Sequence, residues 1–367
     1  MKKILIISGV VVFFVAGILI FHKPREAGDT IKIGAVMALT GDAASWGEMS
    51  LKGAQLAVAD LNKKGGINGK KIELVTEDMK STSQGAISAV QKLVSLDGVN
   101  AILGPSWLDV YQGAQGVTGK NLIMISPDAG IEAVNGEKLT PNVFSVWYRS
   151  QPKADLVMKF LAGQGVKRLA IVHQNDSYYV DLGKRLQDTA GKYGITIVRH
   201  EITTSGETDF KTMMLKLKQD NPDMVFFSFY DQKSLDAFLN NRAQLFPTVP
   251  IITDEAGQDY SENSALTKLI DGLYYLGVRP DPAFAKEFQE TYSVAPKFGA
   301  STGYDGLMVL VEAIKNQPDD LVGYVKTHTF KTVTFGDMKF DDINGVTTNN
   351  EMYVVKQFKD GKVTILK

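Results

Sequence analysis

Residues able to grip a guest molecule gather at a few places in this chain: Ser45 and Trp46, Ser106-Trp107-Leu108-Asp109, Asp128-Ala129-Gly130, Tyr178, Tyr230 and Asp254-Glu255. Each group follows a short apolar run that reads as a β-strand. Open parallel sheets bind ligands beyond the carboxyl ends of their strands, so this shared placement predicts a common cleft. Carboxylates, tyrosines and indoles there would hold a small polar solute by charge-assisted hydrogen bonds and stacking.

The patterns that would signal catalysis or a metal fail on their chemistry. Gly65-Gly66-Ile67-Asn68-Gly69-Lys70-Lys71 has three residues between glycines where a phosphate loop has four. It also carries lysine where Ser or Thr must hold magnesium, and it leads into a strand. Phe340-Asp341-Asp342-Ile343-Asn344-Gly345 with Glu351 approaches the spacing of a calcium loop, but Phe340 stands where the first ligand belongs. Both read as turns. His22, His173, His200 and His328 form no ligand pair, and no Ser, His and Asp set has the context of a nucleophile elbow. No cofactor, no metal and no enzyme activity are expected.

The elements that must position the candidate residues can be read from hydrophobic periodicity. Strands are expected over Ile31 to Met37, Lys71 to Glu77, Asn100 to Gly104, Leu122 to Ser126, Arg168 to His173, Ile195 to Glu201, Met224 to Phe229 and Pro250 to Thr253, with helical patterns between them. Such alternation implies an α/β fold with parallel sheets covered on both faces. The strand-loop-helix-turn-strand order of Gly69 to Pro105 recurs in Gly194 to Phe229, which places one sheet on each side of about residue 148. Later, Ala283 to Tyr292 and Thr302 to Lys315 read as helices. Met352 to Phe358 and Val363 to Leu366 read as a hairpin about Asp360-Gly361.

Composition narrows the partners. Two lysines precede an apolar run from Ile4 to Phe21, as in an export leader or an uncleaved membrane anchor. The 40 basic and 41 acidic residues fall to 36 and 40 once Met1 to Gly28, with four bases and one acid, is set aside. That mild acidity offers no footprint for nucleic acid. With no cysteine, disulfides, thiolate metal sites and a lipid-modified N-terminus are all excluded. The remaining length exceeds what one core usually organises, so two lobes are expected.

Taken together, IKIGAVMALTGDAASWGEMSLKGAQLAVADLNKKGGINGKKIELVTED, the AILGP strand end, LIMISPDAG, LAIVHQNDSYYVDLGKRLQD, ETDFKTMMLKLKQDNPDMVFFSFY and FGDMKFDDINGVTTNNEMYVVKQFKDGK resemble the periplasmic leucine/isoleucine/valine-binding protein family, the type I solute-binding proteins of ABC transporters. The resemblance spans nearly everything after Asp29. It implies two Rossmann-like lobes joined by a three-crossing hinge: residues 29–147 plus 279–346, and 148–278 plus 347–367, behind a leader or anchor at 1–28. It also implies that Trp46 packs on the ligand, that Glu255 and Tyr230 receive an ammonium group, and that Tyr178 lines the cleft. The family's Ser and Thr that hold a ligand carboxylate fall at Leu108 and Gly130, leaving Ser106, if its loop shifts, and backbone N–H groups at a helix start for an anion. The departure turns the expectation toward a small polar solute bearing an amine or amide, with amino acids the leading class and a cationic non-amino-acid ligand next. Asp109 and Asp128 would repel a carboxylate if they point inward, and would be neutral to it if they cap helices or face solvent.

Three functions follow in order. The first is periplasmic or extracellular capture of a small molecule for an ABC permease. The second is a membrane-tethered sensor that passes cleft closure to a signalling partner, and the third is an enzyme of the doubly wound class.

Overall fold

The computed structural model describes residues 30–99, 101–106, 122–131, 142–347 and 353–366. The expected leader at 1–28 and Trp107, Leu108 and Asp109 lie outside them.

The chain enters on β1 (Ile31–Met37), α1 (Ala44–Lys63), β2 (Ile72–Asp78), α2 (Ser83–Ser95), β3 (Ala101–Leu103), β4 (Ile123–Ser126) and β5 (Val143–Ser145). Among the described residues these strands form a parallel sheet in the order β2-β1-β3-β4-β5. Along β1, Ile33, Ala35 and Met37 enter one apolar cluster while Val36 enters another. Both faces of the sheet are therefore covered, as parallel pairing with helical crossovers requires.

After Tyr148 come α3 (Ser150–Gly163), β6 (Arg168–Gln174), α4 (Ser177–Ala190), β7 (Thr196–Thr203), α5 (Lys211–Asp220), β8 (Met224–Ser228), α6 (Gln232–Leu245), β9 (Ile251–Thr253), α7 (Gly257–Glu262) and β10 (Tyr274–Val278). They build a second sheet, β14-β13-β10-β9-β8-β6-β7, completed by a hairpin in which β13 (Tyr353–Lys359) runs antiparallel to β10 and β14 (Lys362–Ile365) antiparallel to β13. In between, α8 (Pro282–Tyr292), α9 (Ala300–Asn316), α10 (Leu321–Thr327) and the ribbon β11 (Phe330–Thr332) with β12 (Gly336–Met338) precede the return to β13. The fold is α/β with two mainly parallel sheets.

Short-range chemistry starts the helices. Thr82, Asp176, Asp231 and Asp281 each accept a hydrogen bond from a backbone N–H of the first turn that follows, and Pro282 adds its fixed φ to α8. The two glycine-rich turns are turns. Ile67 and Lys70 bridge within the first. In the second, Asp341 accepts from the amides of Ile343 and Gly345 and pairs with Arg149 at 2.8 Å, which leaves it no calcium role.

A close crossing of α1 and α9 attaches the later helices to the first sheet. A methyl group at Gly53 would lie 1.8 Å from the Ala300 carbonyl oxygen, and one at Gly303 would lie 2.1 Å from that of Ser50. Only glycine permits this approach.

Candidate functional site

Trp46, Ser106, Asp128, Ala129, Gly130, Tyr178 and Tyr230 line one cleft, with Asp42, Ala43, Trp147, Asp176, Ser177 and Tyr179. Its volume is about 660 Å³, mouth included. The walls come from segments beyond the carboxyl ends of β1, β3, β4 and β5 on one side and of β6 and β8 on the other. This is the location that strand polarity anticipates.

Trp46 reaches the cleft from the first turn of α1. That turn is held against the exit of β1, because Gly47 leaves room for the Ala38 carbonyl, which a Cβ would meet at 2.0 Å. The indole stacks on Trp147, with ring centroids 6.2 Å apart. Across the cleft, Tyr230 stacks on Tyr179 at 6.3 Å. Tyr178 and Tyr179 are set by the Asp176 cap, whose Oδ1 accepts from both their amides.

Asp128 points inward. It is 7% exposed; Ser50 donates to its Oδ1 at 2.5 Å, and its Oδ2 has no hydrogen-bond partner among the described residues. Burial pushes the carboxyl up to about 7, against the opposing pull of the Ser50 and Ser106 hydroxyls. The Ser106 hydroxyl itself points at the Met37 sulfur, 3.7 Å away. At Gly130 a side chain would run into Tyr178, whose ring carbon lies 3.3 Å from the position of a Cβ. A threonine there would press on an aromatic ring from the opposite wall, which would have to give by a few tenths of an ångström.

Glu255 departs from its expected surroundings. It sits behind Trp46 in a separate recess of about 210 Å³ with Ser45, Gln258, Asp259 and Lys297. One oxygen of its carboxylate is already engaged, since Lys153 from α3 forms an ion pair with Oε1 and the Tyr178 hydroxyl donates to the same oxygen at 2.7 Å, while Oε2 is buried with no hydrogen-bond partner among the described residues. Lys153 also donates to the Tyr178 hydroxyl at 2.7 Å, and its ammonium lies 4.7, 5.2 and 5.7 Å from the ring centres of Tyr178, Trp147 and Tyr148. Burial and the neighbouring Glu255 hold the Tyr178 phenol well above its ordinary value, so it remains a donor. Asp254 turns away into the second sheet, accepting from Ser228 at 2.8 Å and from the Ala256 amide at 3.0 Å.

Sequence reasoning missed Lys153, Trp147 and Tyr179. A lone lysine in the first turn of an amphipathic helix reads as a surface residue, and Trp147 follows a three-residue strand with too little pattern to detect. Tyr179 carried a usable signal, since it adjoins Tyr178 behind the Asp176 cap.

A family model described as periplasmic binding protein matches residues 30–362, and the chain belongs to that family. Among its relatives is the Leu/Ile/Val-binding protein BraC3 of Rhizobium johnstonii, 33% identical over 202 residues. That match covers 54% of each chain, so it spans about half the length of this relative. The leucine-specific-binding protein of Salmonella typhimurium is 26% identical over 375 residues, 96% of this chain and 98% of its own. A type 1 periplasmic binding protein from Bordetella pertussis superposes with a TM-score of 0.79 at 24% identity, over 92% of this chain and 99% of that one. The type I fold expected from the sequence is the fold observed.

Proposed function

We propose that this chain is an extracytoplasmic solute-binding protein that captures a small polar solute, an amino acid, amide or amine, and delivers it to an ABC importer. The observation that carries the reading is the aromatic cleft between two sheets, with walls drawn from the carboxyl-terminal ends of both. Family membership supports it, as do relatives named for binding leucine, isoleucine and valine.

In this reading the lobes are residues 29–147 with 279–346 and residues 148–278 with 347–367, and three crossings make the hinge. Trp46, Ser106, Asp128, Gly130, Tyr178 and Tyr230 contact the ligand from both sides. Contacts available only when the lobes meet make the ligand favour the closed form, and the permease distinguishes loaded from empty protein by that shape. Residues 4–21 either direct export or hold the protein at the membrane, and the intact mass of the mature protein separates the two.

Native mass spectrometry of gently purified protein, followed by titration with the solute found, tests the function. A bound small molecule that is lost in Trp46→Ala, with affinity reduced about tenfold or more, is the expected result. A protein that binds no metabolite and keeps one scattering profile across a broad panel refutes it. Among the described residues no helix is long and apolar enough to cross a membrane.

A further inference from the structure

Two carboxylates near the cleft could receive a ligand's positive charge; each keeps one buried oxygen without a hydrogen-bond partner among the described residues, but only Glu255 is paired with a lysine. Glu255, at the position where the family resemblance puts the ammonium acceptor, is 2% exposed and already bound to a lysine of the chain itself. Lys153 is 1% exposed, and Tyr178 bonds to both partners of the pair. An α-amino group arriving there would have to displace a buried ammonium that stands in the same place, with the same charge and the same aromatic neighbours.

Asp128 is the reverse case. It lines the cleft, its Oδ2 is buried without a hydrogen-bond partner among the described residues, and no ion pair among them reaches it. The described lining contains two further acids, Asp42 and Asp176, and no lysine or arginine. Around it stand Trp46, Trp147, Tyr178, Tyr179 and Tyr230, whose ring faces attract cations. The aliphatic hydroxyl donors described there are Ser106 and Ser177, with no basic side chain in the lining beside them to balance a carboxylate.

We propose that the cleft takes a cationic amine or ammonium solute with an apolar body and no free carboxylate, its charge beside the Asp128 carboxylate, and that Lys153 sets this specificity by occupying Glu255. The inference rests on the cleft being a solute site, and it narrows the solute class. Lys153 acts as a resident counterpart of the amino-acid ammonium. Asp128 takes over the acceptor role from the opposite side of Trp46.

Tryptophan fluorescence and calorimetric titration of the soluble protein with benzylamine, choline, leucine, isoleucine and benzoate test it. Benzylamine or choline should bind at least about tenfold more tightly than leucine, isoleucine or benzoate, and Asp128→Asn should lower that affinity about tenfold or more, the value of one charge-assisted hydrogen bond. In Lys153→Met, the freed Glu255 should admit an α-amino group, so leucine binding should rise about tenfold or more. If Lys153→Met does not fold, Asp128→Asn alone decides. Tight leucine or isoleucine binding by the unaltered protein that Asp128→Asn leaves unchanged overturns this inference while solute capture stands. Binding of none of the five by any variant, with no co-purified small molecule, overturns both.

Discussion

At the scale of residues, the cleft is governed by which charges have partners. The Lys153–Glu255 ion pair is buried, and removing one member leaves the other uncompensated. Lys153→Met should cost about 3–5 kcal/mol of unfolding free energy, while Lys153→Met with Glu255→Gln should recover most of it. Urea denaturation of the three proteins checks this, and equal losses in the single and double variants would show that the charge is not the cause. Asp128 carries a pH signature. Its folded-state value, about 7, lies above the ordinary 3.8, so the folded protein holds this proton more tightly than the unfolded chain does. The stabilising contribution is fully present below about pH 4 and is lost as pH rises through about 7. Cation binding runs the other way, since it needs the carboxylate, so benzylamine affinity should rise between pH 5 and 8. Asp42, Asp176, Tyr178, Tyr179 and Tyr230 share the cleft and Tyr148 lies behind it. The slope that disappears in Asp128→Asn isolates the contribution of Asp128 from theirs.

At the scale of elements, the site depends on how closely helices approach what they cover. The α1–α9 crossing is backbone against backbone at Gly53 and Gly303, and α1 carries Trp46. Gly53→Ala should push the helices apart at a cost of about 1–3 kcal/mol. Gly163, at the end of α3, has open space around it, so Gly163→Ala should leave stability unchanged or raise it by about 1 kcal/mol. Chemical denaturation midpoints distinguish the two, and equal effects would mean that helix propensity rather than contact dominates. Most of these elements were legible from periodicity: β1 matches its expected span, and β2, β6, β7 and the β13–β14 hairpin fall within two residues of theirs at each end. The misses have a physical reason. β5, β11 and β12 have three residues each and, unlike the equally short β3 and β9, do not lie within a continuous apolar run between helical patterns, and β10 is a five-residue run, Tyr274-Tyr275-Leu276-Gly277-Val278, that no helical pattern flanks closely on its N-terminal side. Neither β5 nor β10 is recognisable until its neighbours pair with it.

At the scale of the whole molecule, the two sheets meet through a small set of cross-links. Asp259, on α7, accepts from the Trp46 indole at 3.0 Å and from the Ser45 hydroxyl at 3.2 Å, and pairs with Lys297 at 3.2 Å. Lys297 also bonds Glu262 at 2.5 Å. The same indole thus lines the cleft and bridges the two sides of it. Tyr148 packs against Phe298, Phe335 and Tyr353 with centroids 5.4 to 5.6 Å apart, gathering distant parts of the chain around one ring. Asp259→Ala should shift the ligand-free protein toward an open form and weaken binding about tenfold, the effect of losing one or two partly exposed charge-assisted bonds. Small-angle scattering with and without benzylamine reads this directly. An unchanged radius of gyration in the variant would mean that the aromatic cluster, and not Asp259, holds the observed arrangement.

The amino-acid sequence by itself determined the α/β class, the polarity of the strands, and hence the end of each sheet at which Trp46, Ser106, Asp128, Tyr178 and Tyr230 gather. Those features follow from local patterns of apolar, β-branched and capping residues within a few positions of one another. Tertiary structure alone decided that Asp128 is buried at the cleft without an ion-pair partner among the described residues, that Tyr178 packs beside Gly130, and that Lys153 reaches Glu255, 102 positions away in the chain. Whether a buried charge is free or satisfied depends on what the fold brings beside it, and no local pattern records a partner so far along the chain.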